Sequence, residues 1–435
     1  MEKNLIKREL TAKIVNWLEQ KEIFVILGPR QSGKTTLLRI IENYLKTEQG
    51  IPEKQFFYFS FEDPQVRAEF SKNPKEFVET KIKIGSQDRF FFFLDEYHWI
   101  DEGGQKLKML YDLFPNVKFF ITGSSSLELT FKTGKYLVGR AFYFYLFPLS
   151  FLEFLRFKNE EVYTAFQKRH DGLWQFLIKG EEIILEPSIY EERLFKFFEE
   201  YCLWGGYPEV IKKETIDLKS EVLKNIVSTY LEREIRSLLL IADLEAYQTL
   251  LKLLAAQTGQ LINYQQLSTD AGLYFKLIKN YLKILEETFV LKSIKPFYRN
   301  LTTELKRNPK IYFYDSGLRN FLVSNFAALS TRPDKGQLVE EEVFANLNTK
   351  LEPPAKIDFW RTRGRAEVDF VLRVGDKMVP VEVKFSPFAK PKLSAGFRSF
   401  VDSYKPARGV VLTGGGSYKI KVNQSEIIFC PVWYL

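Results

Sequence analysis

The first third of the chain alternates short, unbroken apolar runs with mixed stretches. Ile23-Phe24-Val25-Ile26-Leu27, Phe90-Phe91-Phe92-Phe93-Leu94 and Val117-Lys118-Phe119-Phe120-Ile121 stand out. Continuous runs of this length suit strands buried on both faces of a parallel sheet. Leu37-Leu38-Arg39-Ile40-Ile41, shortly after the first run, reads as a helix. From about Glu191 to Leu254 apolar residues fall three and four apart, as in EERLFKFFEEY and SEVLKNIVSTYLEREIRSLLL. This predicts helices, interrupted at Gly205-Gly206-Tyr207-Pro208. An apolar run at Leu250 to Ala256, a short segment at Tyr264 to Asp270 and a longer helix from Tyr274 to Thr288 follow. Phe289-Val290-Leu291 with Ile294 then reads as a strand leading into Pro296. Near the end, LVEEEVFANL reads as a helix, and EVDFVLRV and VPVEVKF as strands. The pattern predicts an α/β chain in four segments: a parallel-sheet core at 1–155, a helical lid and connector at 156–249, a compact helical segment at 250–330 and a mixed α/β end at 331–435.

Length and composition narrow the class. At 435 residues the chain exceeds what one hydrophobic core usually organises, and about three domains is the expectation from length. Cys202 and Cys430 are the only cysteines, far apart and without C-x-x-C spacing, which argues against a disulfide framework or a zinc site. A reducing cytoplasm fits that usage. The opening MEKNLIKRELTAKIVNWLEQ breaks its apolar positions with charges and reads as an amphipathic helix, not as a signal segment. No stretch approaches the roughly 18 apolar residues of a membrane span, so no membrane partner is expected. A net charge of +8 permits an acidic partner without demanding one.

The first apolar run leads into Gly28-Pro29-Arg30-Gln31-Ser32-Gly33-Lys34-Thr35-Thr36, which contains G-x-x-x-x-G-K-[ST] in a strand–loop–helix context. Glycines let backbone N–H groups curl around a phosphate, and a helix N-terminus adds its dipole. Lys34 is placed to reach the β- and γ-phosphates of ATP, and the Thr35 hydroxyl to ligate Mg²⁺. The second run ends in Asp95-Glu96, at the carboxyl edge of a strand where open α/β sheets bind ligands. Asp95 suits Mg²⁺ and Glu96 suits polarising the attacking water. The third run ends in Thr122-Gly123-Ser124-Ser125-Ser126. Ser124 is the candidate for sensing the γ-phosphate, although a plain Gly/Ser turn gives the same composition. Arg140, before an aromatic stretch and Pro148-Leu149-Ser150-Phe151, is the candidate arginine finger, acting within the subunit or from a neighbouring copy; an exposed structural arginine reads the same way.

Together GPRQSGKTTLL, FFFLDE, ITGSSS, LVGR followed by PLSFLEFL, WGGYPEV at Trp204 to Val210 and YLERE at Tyr230 to Glu234 resemble a prokaryotic AAA-type P-loop ATPase family. In that family the ATPase core is fused to a C-terminal region with winged-helix and restriction-endonuclease-like parts of unknown function. The resemblance covers almost the whole chain. It implies a P-loop core with a parallel sheet, ATP and Mg²⁺ as cofactors, and a homo-oligomer if Arg140 acts across subunits. Lys158 to Glu192 reads as a charged insertion longer than the family pattern requires.

Two further features bear on partners. The order of elements from Leu250 onwards looks like a winged helix, and Ala271 to Lys310 holds nine Lys and Arg against three Glu. Lys276, Lys279 and Lys283 fall on one helix face, where they could contact nucleic-acid phosphates, DNA ahead of RNA. A solvated surface helix explains the same lysines. At the end of the chain, Asp369, Glu382 and Lys384, with Glu340 added from a helix, match the metal-and-lysine centre of a PD-(D/E)XK nuclease holding one or two Mg²⁺ or Mn²⁺ ions. Ala-Glu-Val stands before Asp369 where the motif has proline, and an inert binding module is an equal reading. The combined expectation is ATP hydrolysis coupled to recognition, remodelling or cleavage of nucleic acid. Its rivals are a nucleotide-gated switch with an inert C-terminal domain and a protein remodeller.

Overall fold

Strand β1 (Ile23–Leu27) is buried along its whole length, as an apolar run in the middle of a sheet should be. In the computed structural model, which describes residues 6–83, 85–123, 136–183, 185–229, 243–298, 304, 307–386 and 391–435, it pairs in parallel with β4 (Val117–Gly123) and β5 (Ala141–Tyr145). β2 (Phe56–Ser60) and β3 (Phe90–Asp95) complete a five-stranded parallel sheet of order β2-β3-β4-β1-β5. The strand ending in Asp95 is therefore separated from the strand leading into Gly28 by β4. Phe24, Phe91, Phe93, Phe120 and Phe144 line one core, with the Phe93 and Phe120 rings stacked at 4.8 Å, and the helix Lys34–Thr47 buries Leu37, Leu38, Ile41 and Leu45 against it.

The chain divides into two compact units. One comprises Met1–Pro148 with Lys283–Val290, the other Leu149–Leu282 with Leu291–Leu435. The helix Phe275–Glu287 thus begins in the second unit and ends in the first.

In the second unit, segments distant in sequence are tied by buried polar contacts. Arg408 donates to the carbonyls of Leu177 (2.9 and 3.1 Å) and Ile178 (2.7 Å), and Asn346 Oδ1 accepts from the Phe151 amide (3.2 Å). The stretch read as a charged insertion forms the helix Glu160–Ile178, which buries Val162, Phe166, His170, Leu173 and Leu177. Its apolar positions keep the helical period, but the charges between them mask it. Next come the helices Leu244–Ala256, Tyr264–Ala271 and Phe275–Glu287, then the antiparallel pair β6 (Leu291–Ile294) and β7 (Lys310–Phe313), with a bridge from Leu261 to Lys310. The C-terminal part is a mixed six-stranded sheet: β8 (Lys356–Arg361), β9 (Glu367–Val374), β10 (Lys377–Lys384), β11 (Arg408–Thr413), β12 (Tyr418–Val422) and β13 (Ser425–Pro431), in the order β12-β13-β11-β10-β9-β8. Cys202 and Cys430 are both buried and free. Among the described residues no helix is long and apolar enough to cross a membrane.

Candidate functional site

The loop after β1 is shaped by its glycines. A Cβ on Gly28 would lie 2.1 Å from the Leu146 carbonyl oxygen, so no side chain fits there, and Gly33 adopts a φ of 94°, in the left-handed region. The helix Lys34–Thr47 starts immediately after Gly33, leaving its first-turn N–H groups directed at the loop. Lys34 is buried, with Nζ donating to the carbonyls of Gly28 (3.1 Å) and Pro29 (2.9 Å). Burial lowers its pKa, and the charges of Glu96 and then Asp95 oppose that effect. Ser32 Oγ is buried and has no hydrogen-bond partner among the described residues. A phosphate entering the loop would offer one. Arg30, at the mouth, lies 3.7 Å from Glu62.

Asp95 ends β3 with its carboxylate almost fully buried and encircled by hydroxyl donors. Thr35 donates to Oδ2 (2.8 Å), Tyr58 also to Oδ2 (2.6 Å) and Thr122 to Oδ1 (2.5 Å). The first of these brings the two expected metal-binding side chains, 60 residues apart, into contact. Mg²⁺ fits this donor set, since hard oxygen ligands suit it and a hydroxyl that donates to a carboxylate keeps a lone pair for the metal.

Glu96 follows in the left-handed region, φ 53°, and its amide donates to Thr122 Oγ1 (2.9 Å). His98 Nδ1 lies 3.0 Å from Glu96 Oε2. Burial pushes the Glu96 pKa up, but the His98 hydrogen bond and the Lys34 charge outweigh it, and the net shift is downward. The side chain is therefore ionised at neutral pH, as an acceptor of a water proton must be.

Four contributors went unread in the sequence. Tyr58 and Thr122 come from the strands on either side of β3, and Arg39 stacks on the Tyr58 ring at 3.5 Å. Arg8, ahead of the first helix, donates to the carbonyls of Ser32 (2.7 Å) and Phe147 (2.6 Å) and so braces the loop from behind. Ser124 lies outside the described residues. Arg140 is not brought to this site. It precedes β5, beside Ile23 at the start of β1, and pairs with Asp112 (3.1 Å); the loop is at the other end of β1, roughly 16 Å away at the usual rise per residue.

The second constellation does assemble, in altered company. Asp369 Oδ2 accepts from the Val383 amide (2.8 Å), which lies between Glu382 and Lys384, and Lys384 Nζ is 3.1 Å from Glu382 Oε1. Asp369 is pushed upward in pKa by burial and then by the Glu340 charge, with Lys310 opposing. Lys310 itself, from β7, lies 3.1 Å from Glu340 and 2.6 Å from Glu367. Among the described residues no group of three or more His, Cys, Asp or Glu is disposed to hold a metal ion. The nuclease metal expected from the sequence does not fit the cluster as it stands, because a lysine occupies it. Lys276, Lys279 and Lys283 are all exposed along the helix Phe275–Glu287, with Lys279 Nζ 4.5 Å from the Phe275 ring and Lys283 3.8 Å from Glu287.

Comparison with known families decides the first unit: the model of the AAA domain matches residues 20–155. Residues 20–155 form an AAA domain. Its parallel sheet and phosphate loop give this part of the chain an ATPase-type α/β fold. Beyond the AAA domain, residues 196–329 match a domain of unknown function (DUF8612) and residues 335–435 another (DUF4143). Outside family models, an uncharacterized protein of Haemophilus influenzae is 25% identical over 442 residues, covering 100% of both chains. An uncharacterized protein of Methanocaldococcus jannaschii is 26% identical over 375 residues, 85% of this chain and 75% of that one. The Aeropyrum pernix ORC2 protein, solved with ADPNP and ADP, covers 73% of this chain and 91% of its own at 15% identity and a TM-score of 0.38, too loose to add to the strand order.

Proposed function

We propose that the AAA domain binds ATP with Mg²⁺ and hydrolyses it, and that turnover is coupled to nucleic acid, DNA ahead of RNA. The observation that carries the first part is the 2.8 Å hydrogen bond from Thr35 to Asp95 beside a buried Lys34. Lys34 exchanges the Gly28 and Pro29 carbonyls for phosphate oxygens. Thr35 would present its oxygen to the metal while its O–H goes on donating to Asp95 Oδ2. Mg²⁺ held by Thr35 and Asp95 would supply charge neutralisation for the transferring phosphate. Glu96, ionised and held by His98, accepts the proton of the attacking water at Oε1.

The order of three helices and a hairpin from Leu244 to Phe313 supports the winged-helix reading of this part of the chain. Its third helix exposes three lysines, with Tyr274 (87% exposed) and Phe275 (47%) at its start. Lysines interspersed with exposed aromatic rings suit phosphates and bases together. In this reading the domain boundaries remain those expected from the sequence, and the C-terminal part is a recognition module. The lysine inside its carboxylate cluster favours that inert alternative over a working nuclease. The deciding experiment measures ATP turnover alone, with duplex and single-stranded DNA, and with RNA. Stimulation by DNA is expected; turnover indifferent to every nucleic acid would transfer the chain to the protein-remodeller reading.

A further inference from the structure

The C-terminal carboxylates have a cation of their own. Glu340 comes from the helix Lys335–Lys350, Glu367 and Asp369 from the same face of β9, and Glu382 from β10. Lys310 enters from a different part of the chain, on β7, and its side chain is only 3% exposed. Its Nζ contacts Glu340 Oε1 (3.1 Å) and Glu367 Oε1 (2.6 Å), while Tyr312, two residues along the same strand, donates to Glu340 Oε1 (2.5 Å). Arg361 satisfies the other oxygen of Glu367 (2.9 Å), and Lys384 meets Glu382 Oε1 (3.1 Å). Glu382 Oε2 is left buried without a hydrogen-bond partner among the described residues. Burial works against the Lys310 charge, but Glu340, Glu367 and Asp369 more than compensate, so its pKa lies above that of an ordinary lysine.

A buried cluster of carboxylates is tolerable only while a positive charge sits among them; remove it and like charges are stranded at close range in a low dielectric. Such a cluster is also a ready set of hard oxygen ligands. We propose that Lys310 is the resident cation of this centre: the β6–β7 hairpin inserts an ammonium where a divalent ion would otherwise bind, and the centre is closed to metal while the hairpin stays docked. Metal and hairpin then compete for one place, and the C-terminal part serves as a docking joint for the hairpin.

The test uses the full chain without nucleotide, titrated with Mn²⁺ and followed by the electron paramagnetic resonance signal of the free ion. Parent, Lys310→Met, Lys310→Gln and each lysine variant combined with Asp369→Asn are compared. The parent should show no Mn²⁺ binding that depends on Asp369. Both lysine variants should gain one Mn²⁺ per chain, at least tenfold tighter than any site in the parent, and Asp369→Asn should abolish the gain. Metal at the phosphate loop is separated by its indifference to Asp369. Mn²⁺ should also raise the melting temperature of the lysine variants but not of the parent. Asp369-dependent Mn²⁺ binding by the parent would overturn the proposal, as would folded lysine variants that gain no site. If both variants fail to fold, recovery on adding Mn²⁺ supports it, and failure to recover rejects it, because a divalent ion then cannot stand in for the ammonium.

Discussion

Under the proposed function Lys34 and Glu96 serve different steps on one nucleotide, so their substitutions should fail differently. Lys34→Ala removes the only ammonium in the loop and should weaken ATP binding at least tenfold, read by equilibrium titration. Glu96→Gln keeps the shape and loses the proton acceptor; binding should persist while turnover falls by about 10²- to 10⁴-fold. Tight ATP binding with unchanged turnover in the lysine variant would remove the phosphate-loop assignment. The pH profile carries a sign. Because the folded Glu96 pKa lies below its ordinary value, the acceptor form is already complete at neutral pH, and its loss of activity should appear only as pH falls through that lowered value. At this scale the sequence showed what is local: the loop, and two acids at a strand end. It did not show Tyr58, Thr122 or Arg8, because those reach the site through sheet pairing and chain return.

Among the larger elements, the WGGYPEV turn, one of the marks of the family resemblance, is a structural joint. Gly206 donates to Asp315 Oδ2 (2.7 Å) and accepts from the Leu149 amide (2.7 Å); a Cβ there would lie 2.2 Å from the Leu149 carbonyl oxygen. Gly205, at φ 73°, would drive a Cβ to 2.3 Å from the Asp315 carboxylate. Gly206→Ala should therefore destabilise the second unit by about 3 kcal/mol or more, since backbone on both sides must yield, and chemical denaturation would reveal it. The helix Phe275–Glu287 gives an opposite expectation. Replacing Lys276, Lys279 and Lys283 together with Gln should leave the melting temperature nearly unchanged, weaken DNA binding and flatten its dependence on log salt by up to about 2.7, if each lysine neutralises one phosphate. Unchanged affinity and slope would make these lysines solvated surface. Periodicity made both helix and turn legible; it could not say that Asp315, more than a hundred residues later, closes the turn.

Taken whole, the chain needs a second copy if Arg140 is to touch phosphate, since its own phosphate loop is at the opposite end of β1. Mixing Arg140→Ala with Lys34→Ala protein should then restore part of the ATPase activity that neither has alone. No recovery in demonstrably mixed assemblies would leave Arg140 as a partner of Asp112. The carboxylate cluster teaches the same lesson about legibility. Glu340, Asp369, Glu382 and Lys384 were readable by strand and helix phase, whereas Lys310 belongs to a hairpin that the sequence assigned to another segment, and only the fold shows it among them.

The ring of hydroxyls around Asp95 has a consequence for the order of events. Thr35, Tyr58 and Thr122 orient that carboxylate without adding any positive charge, and it faces the place where a triphosphate would arrive. An unchelated nucleotide would meet electrostatic repulsion that a single buried ammonium only partly offsets, whereas the magnesium chelate brings its own remedy. Under the proposed function, the pocket should admit metal and nucleotide as one package and loosen its hold on whatever remains once the metal departs.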